Sequence, residues 1–352
     1  MEPGAVAYIY KKRYFLASPT ERPTIVTAAV VGASGFAGAE LLRLLAAHPE
    51  VEVVAASGGT SAGQRVDKLY PPLSVLGFSE FDEVHAALSC SADVVITSLP
   101  HGQSAPLLDN SGWRGRVIDL GADFRLTNGQ AESWAYGLPE CGRDKLIGAT
   151  RIANPGCYPT AALLALTPAI HEGLIDAGSI DVFAISGVSG AGRAAGDAMG
   201  FTTVNESLKA YAAPTHAHTP EIAQEVARLS GKPSKITFIP HLAPLTRGLV
   251  ATATAPLMSD VTQVAAQDAY ENHYSKEPFI HLVFDRFPES KWLTGSNGAE
   301  VSVRVDEHSG RLIAFAAIDN LGKGAAGQAV QNLNLMFGFD ETLGLATYGM
   351  PI

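Results

Sequence analysis

Apolar positions follow two regimes along this chain. From residue 24 onward, short β-branched runs alternate with segments of helical period. Residues 24–31 end at Gly32 and read as a buried strand. Residues 36–48 then carry Leu41, Leu42, Leu44 and Leu45 at helical spacing, closed by Pro49. Residues 51–56, 93–99 and 116–120 are three further strands. Such alternation predicts a parallel, doubly wound sheet. Beyond about residue 155 the regime changes. Strands are predicted at 180–185, 235–239 and 249–255, and 299–306 alternates apolar and polar with period two. Residues 311–318 follow across the turn His308-Ser309-Gly310, the mark of an antiparallel sheet with unlike faces. The last long segment, 325–337, places Ala326, Val330, Leu333 and Phe337 on one helical face. The expected fold class is α/β: a Rossmann-type parallel-sheet domain plus an α+β domain with a mainly antiparallel sheet.

Length and charge narrow the function classes. A chain of 352 residues suggests about two domains, and 47% hydrophobic with 17% charged residues excludes a disordered chain. Its 35 acidic residues against 25 Lys and Arg give a net charge of −10. That balance argues against nucleic-acid or anionic-membrane partners, while leaving room for a local basic pocket around a small anion. Three cysteines cannot form a disulfide framework and suit a reducing compartment. No apolar run approaches the ~18 residues of a membrane helix. Residues 1–23 hold Lys11-Lys12-Arg13 and then only Tyr14-Phe15-Leu16-Ala17, too short for a secretory signal. Glu2 and Glu21 depart from an acid-poor transit peptide. An extra arm and a cytoplasmic location are the expectation.

The glycine excess concentrates where chemistry is expected. Gly32-Ala33-Ser34-Gly35-Phe36-Ala37-Gly38 lies between a strand and a helix. Glycines there permit a tight turn and close backbone approach, and the helix start offers N–H groups and positive dipole to a pyrophosphate. The spacing is G-x-x-G-x-x-G, a departure from the G-x-G-x-x-G fingerprint. Strand two ends in Ser57-Gly58-Gly59-Thr60-Ser61, with Arg65 shortly after, where NAD-specific sheets carry Asp or Glu. With no carboxylate to repel a 2′-phosphate, NADP is favoured over NAD.

A second cluster carries a nucleophile. Asn154-Pro155-Gly156-Cys157-Tyr158-Pro159-Thr160 precedes an apolar helical run, and Pro159 suits a first helical turn. Cys157 is therefore expected at a helix N-terminus, where the dipole lowers a thiol pKa. Cys90 and Cys141 lack such flanks and read as small buried groups. His216-Ala217-His218-Thr219-Pro220-Glu221 is the densest polar cluster and opens a helix predicted at 221–229, with Glu221 placed to orient an imidazole. An extended approach to that helix would turn His216 and His218 to opposite faces, so that only His218 meets Cys157.

These stretches, with Leu99-Pro100-His101-Gly102, residues 119–126, 136–140 and 186–193, and 319–329, resemble the N-acetyl-γ-glutamyl-phosphate reductases, NADPH-dependent enzymes of arginine biosynthesis. The resemblance runs from about residue 26 to residue 337. It implies a fold similar to glyceraldehyde-3-phosphate and aspartate-semialdehyde dehydrogenases, with a final helix that returns to the nucleotide domain. Residues 24–156 with 324–352 would then form the NADP-binding domain, and 157–323 the catalytic and oligomerisation domain of a homodimer or homotetramer. Cys157 is implied as nucleophile, His218 as acid/base and Glu221 as its support. Implied cofactor contacts are Gly32, Ser34, Gly35, Phe36, Ala37, Ser57, Ser61, Ser98, Pro100, Ser189, Gly190 and Asn320. The acyl-phosphate substrate carries phosphate and carboxylate, so Arg193 and Arg247 are candidates to bind it, with Ser186 and His216. Arg125 is expected to tie down its own loop, and no metal is implied. A sister reductase of aspartyl phosphate or carrier-linked aminoadipyl phosphate would share the fold. The net charge speaks against the basic docking surface a carrier needs, and the Cys157 and His218 motifs fit aspartate-semialdehyde dehydrogenase less well. A non-enzymatic NADP-binding regulator would need neither motif.

Overall fold

The computed structural model describes residues 25–127, 134–193 and 196–351, so the arm expected at 1–23 lies outside the described residues. The first sheet contains β1 (Val26–Val31), β2 (Val51–Ser57), β3 (Val94–Thr97), β4 (Arg116–Asp119), β5 (Ala135–Tyr136) and β6 (Arg151–Ala153). Their order is β2-β1-β3-β4-β6-β5, and every pairing among them is parallel. Helices cover both faces, as a doubly wound sheet requires. On one side α1 (Phe36–Ala46) buries Leu41, Leu42 and Leu45 against Val30, Ile96 and Ile118. On the other, Ala87 and Leu88 of α2 (Val84–Ser89) pack on Ala29, Val31 and Val95. A further helix, α3 (Ser104–Ser111), follows β3.

The second sheet has seven strands: β7 (Ile180–Ser186), β8 (Lys209–Ala210), β9 (Ile236–Leu242), β10 (Leu249–Pro256), β11 (Ile280–Leu282), β12 (Ala299–Asp306) and β13 (Arg311–Ile318). The order is β11-β12-β13-β10-β7-β9-β8. Pairing is antiparallel except at β7–β9 and β11–β12. The predicted hairpin closes in register from Ala299–Ile318 to Asp306–Arg311. Along β10, Leu249, Ala251, Ala253 and Ala255 point into the core. They meet α4 (Cys157–His171), whose residues 158–170 are all buried. A helix apolar on every side belongs in an interior. Its outer side is covered by α5 (His218–Ser230) and α6 (Gln263–Tyr274), with Ile222, Val226, Ala266 and Tyr270 in the same core. The sheet's other face carries Phe183 and Ile185, which are 43% and 41% exposed.

The final helix, α7 (Gly327–Phe337), returns to the first domain, where Ala329, Val330 and Leu333 join Leu41, Ile96 and Ile118. It starts later than the periodicity predicts, because Gly322–Ala326 winds into a wider π turn. That turn buries Lys323 completely, paired with Glu140 at 2.6 Å and bonded to Gln331 at 2.7 Å. It also passes Gly324 beneath Cys157, where an added Cβ would stand 2.8 Å from the cysteine's own Cβ. Both sheets thus meet at the residue expected to be the nucleophile.

Candidate active site

Cys157 is the first residue of α4, with Gly156 as the extended N-cap residue. Pro159 has no N–H, and the N–H and hydroxyl of Thr160 both donate to the Gly156 carbonyl at 2.9 Å. Of the first-turn amides, those of Cys157 and Tyr158 favour negative charge on the sulfur. The turn is held from behind by Glu221. Its Oε1 accepts from the Gly156 N–H at 2.9 Å and the Tyr136 hydroxyl at 2.8 Å, and its Oε2 faces Arg125 Nη1 at 3.2 Å. Glu221 therefore orients the cysteine turn and Arg125, not an imidazole as expected. As the fourth residue of a helix that begins at His218, Glu221 turns its carboxylate toward α4 instead.

Arg125 does more than tie its own loop. Its Nε donates to the Asn154 carbonyl at 2.8 Å and its Nη2 to the Leu120 carbonyl at 2.7 Å. Nη1 lies 3.4 Å from His218 Nε2. Gly156 is required by this packing, since a Cβ there would stand 2.7 Å from His218 Cε1 and 2.8 Å from Arg125 Nη1. His218 Nδ1 is buried with no hydrogen-bond partner among the described residues.

The two histidines are neighbours. Ala217 is already helical, so the approach is not extended, and the rings lie 4.8 Å apart with the His218 N–H donating to His216 Nδ1 at 3.1 Å. Both line a cavity of about 330 Å³ together with Cys157, Ser186, Gly190 and Lys209. Burial pushes the Cys157 thiol up to about 11, against the pull of Arg125 and the two backbone amides and with Glu221 adding to the rise. The dipole-lowered thiol expected from its helix position is therefore absent, since desolvation outweighs the helix start. Burial also holds His218 well below its ordinary value, reinforced by Arg125 and His216. A neutral thiol thus faces the same cavity as a neutral imidazole that can accept its proton.

Next to this cavity lies a cleft of about 450 Å³ that runs along α1 from its start at Phe36 and is lined also by Tyr70, Leu73, Ser189, Arg193 and Arg247. Gly32 has φ +84°, and a Cβ on it would strike the Ser98 carbonyl group. On Gly38 a Cβ would lie 2.7 Å from Ala33 Cα, so this glycine lets α1 close on the turn. No side chain caps α1, leaving the helix start at Phe36 and Ala37 for an anion. Ser34 donates to the Gly58 carbonyl at 2.7 Å. Uncapped amides, obligatory glycines and a groove this size fit a dinucleotide.

Several expected contacts resolve differently. Ser57 is fully buried, its hydroxyl beneath the turn at 3.4 Å from the Gly32 N–H, so it supports the turn rather than facing the cleft. Ser98 abuts Gly32, and Pro100 is exposed beyond β3. Asn320 is consumed by structure: its Nδ2 donates to Ser189 Oγ at 2.9 Å, and its Oδ1 accepts from the Gly248 N–H at 2.8 Å. Arg65 is tied to Asp67 at 2.9 and 2.6 Å. Arg247 bridges Glu40 at 2.9 Å and Asp319 at 2.7 Å, a strut across the cleft. Arg193 reaches Ser61 at 2.9 Å and Ser34 at 3.4 Å. Neither arginine lines the cysteine cavity, where the permanent cation among the described residues is Lys209. Sequence reasoning missed Lys209, whose two-residue strand has no periodicity to announce it. Cys90 donates to the Ala87 carbonyl, and Cys141 is half-buried beside Thr167 with its thiol pushed up to about 12 by desolvation. Among the described residues no group of three potential metal ligands occurs, and no helix is long and apolar enough to cross a membrane.

Comparisons with known proteins bear on the family and the fold. Residues 27–149 match the family described as semialdehyde dehydrogenase, NAD binding domain, and 157–320 match semialdehyde dehydrogenase, dimerisation domain. The N-acetyl-gamma-glutamyl-phosphate reductase of Moorella thermoacetica is 42% identical, covering 93% of this chain and 99% of the relative. The protein of that name from Mycobacterium avium is 45% identical, covering 93% and 99%. Among solved structures, aspartate semialdehyde dehydrogenase II from Vibrio cholerae superposes with TM-score 0.69 at 20% identity, covering 89% of this chain and 99% of the other. Aspartate semialdehyde dehydrogenase with NADP from Candida albicans does so with TM-score 0.65 at 15% identity, covering 89% and 99%.

Proposed function

The chain belongs to the N-acetyl-gamma-glutamyl-phosphate reductase family, and we propose that it reduces N-acetyl-L-glutamyl 5-phosphate to N-acetyl-L-glutamate 5-semialdehyde with NADPH, a step of arginine biosynthesis. The observation that carries this reading is one cavity holding Cys157 and His218 beside a dinucleotide cleft.

The chain's own groups account for the covalent part of the reaction. His218 takes the Cys157 proton as the sulfur attacks the acyl carbon. The C–S bond forms and the C–O bond to phosphate breaks, so phosphate leaves with the bonding pair and a thioester remains. The start of α4, which no side chain caps, offers its amides to the carbonyl oxygen as charge builds on it. When bound, NADPH supplies the hydride that reduces the thioester. Collapse of the resulting hemithioacetal alkoxide breaks the C–S bond, and the sulfur recovers its proton from His218. Arg125 discourages a second charge on the imidazole and so favours return of that proton.

Lys209 meets the anionic end of the substrate in the cysteine cavity, with Ser186 and His216 as polar neighbours. Phe183 and Ile185 on the open sheet face support assembly through the second domain, as a homodimer or homotetramer. A cytoplasmic location suits three free thiols. The test is the reverse reaction with NADP and phosphate, supplied in turn with N-acetylglutamate, aspartate and carrier-linked aminoadipate semialdehydes. Turnover confined to the first supports the assignment, and preference for either of the others overturns it.

A further inference from the structure

Arg193 stands apart from the other arginines of the site. Among the described residues it has no carboxylate within ion-pair distance, whereas Arg247 and Arg65 are each tied to carboxylates. It leaves the second domain just after the turn Val188–Ala191 and is exposed to the cleft. Its Nη2 donates to two hydroxyls of the first domain, Ser61 at 2.9 Å and Ser34 at 3.4 Å. Nη1 and Nε have no hydrogen-bond acceptor among the described residues. A guanidinium carries five donors in a rigid fork and is matched to a tetrahedral oxyanion.

The two hydroxyls lie where a dinucleotide's adenosine ribose belongs. Ser34 is inside the glycine turn after β1, and Ser61 closes the turn Gly59–Ser61 after β2. In this fold the end of the second strand faces the ribose 2′ position, and a carboxylate there selects against a phosphate. No carboxylate occupies that turn, and Arg65, the nearest cation in sequence, is already spent on Asp67. We propose that Arg193 is the cation that binds the 2′-phosphate of NADP, delivered across the cleft by the catalytic domain and completed by Ser34 and Ser61. Cofactor choice is then set by both domains together, and Arg193 is withdrawn from the substrate's own binding set.

This inference rests on NADP as the cofactor and not on the identity of the acyl phosphate. Isothermal titration of the full chain with NADPH, NADH and adenosine 2′,5′-bisphosphate, without substrate, tests it. Arg193→Gln should weaken NADPH and the bisphosphate by roughly 10- to 100-fold, as for a lost charge-assisted contact, and leave NADH within about twofold. Ser61→Asp, which sets a carboxylate against the same guanidinium, should weaken NADPH and spare NADH. Equal loss of both dinucleotides would assign Arg193 to the fold or the pyrophosphate and overturn the proposal. Unchanged NADPH affinity in Arg193→Gln would do the same. Because no acyl phosphate enters the titration, a failure of the reductase reading leaves its outcome intact.

Discussion

Gly156→Ala tests whether the cysteine turn and the imidazole are built as one unit. The added Cβ would stand 2.7 Å from His218 Cε1 and 2.8 Å from Arg125 Nη1, with Arg125 buried and His218 half-buried. His218 Nε2 would stand closer still, so to reach an ordinary contact near 3.4 Å the imidazole must retreat by roughly 1 Å. It has little freedom to do so. The His218 N–H is bonded to His216, and Arg125 is fixed by two carbonyls and Glu221. Misplacement of a reacting group by about 1 Å costs on the order of 10²-fold in rate, and overpacking a filled site costs about 1–3 kcal/mol. We expect kcat to fall by about 10²-fold, stability to drop by about 1–3 kcal/mol, and the NADPH dissociation constant to stay unchanged. Steady-state turnover of semialdehyde, NADP and phosphate gives the first number, and urea denaturation gives the second. A variant that keeps kcat within about threefold of the parent would refute the claim that Gly156 sets the imidazole's position.

Four further outcomes follow from the same geometry. With its thiol pushed up to about 11, Cys157 should alkylate slowly at neutral pH, the rate rising about tenfold per pH unit until that value; a plateau beginning below pH 8 would show a pre-formed thiolate. Because His218 is held below its ordinary 6.5 and must be neutral to accept the proton, kcat/KM should fall on the acid side only beneath that value, and an acid limb above 6.5 would contradict the assignment. Lys209→Ala should raise the KM for phosphate in the reverse direction by about tenfold, with partial recovery in Lys209→Arg, and an unchanged KM would remove Lys209 from the substrate's binding set. Lys323→Met strands Glu140 unpaired in the interior and should cost about 3–5 kcal/mol in urea denaturation, whereas a loss below 1 kcal/mol would show the pair to be dispensable.

What was legible in the sequence is what local pattern encodes. The glycine turn, the cysteine at a helix start and the period-two hairpin are each specified within a few consecutive residues, and each appears at its expected place. The two- and three-residue strands β5, β6, β8 and β11 are too short to show a period and went unseen. Roles set by long-range partners were also hidden. Arg193, Arg247 and Arg125 are equivalent as letters, and only the fold shows that Arg247 meets Glu40 and Asp319 while Arg125 reaches His218. The thiol's direction of shift failed for a related reason. A helix start is a local feature that lowers a pKa, but the burial that outweighs it comes from both domains closing over Cys157.

The central claim is that the acyl group passes through a covalent bond to Cys157. The full-length enzyme, given N-acetylglutamate semialdehyde and NADP with phosphate withheld, has no acceptor for the acyl group and should stall as the thioester. Intact mass spectrometry should then show the gain of one N-acetylglutamyl group, mapped to the peptide containing Cys157 and discharged when phosphate is added. No adduct under these conditions, or an adduct that persists in Cys157→Ser, would contradict the account.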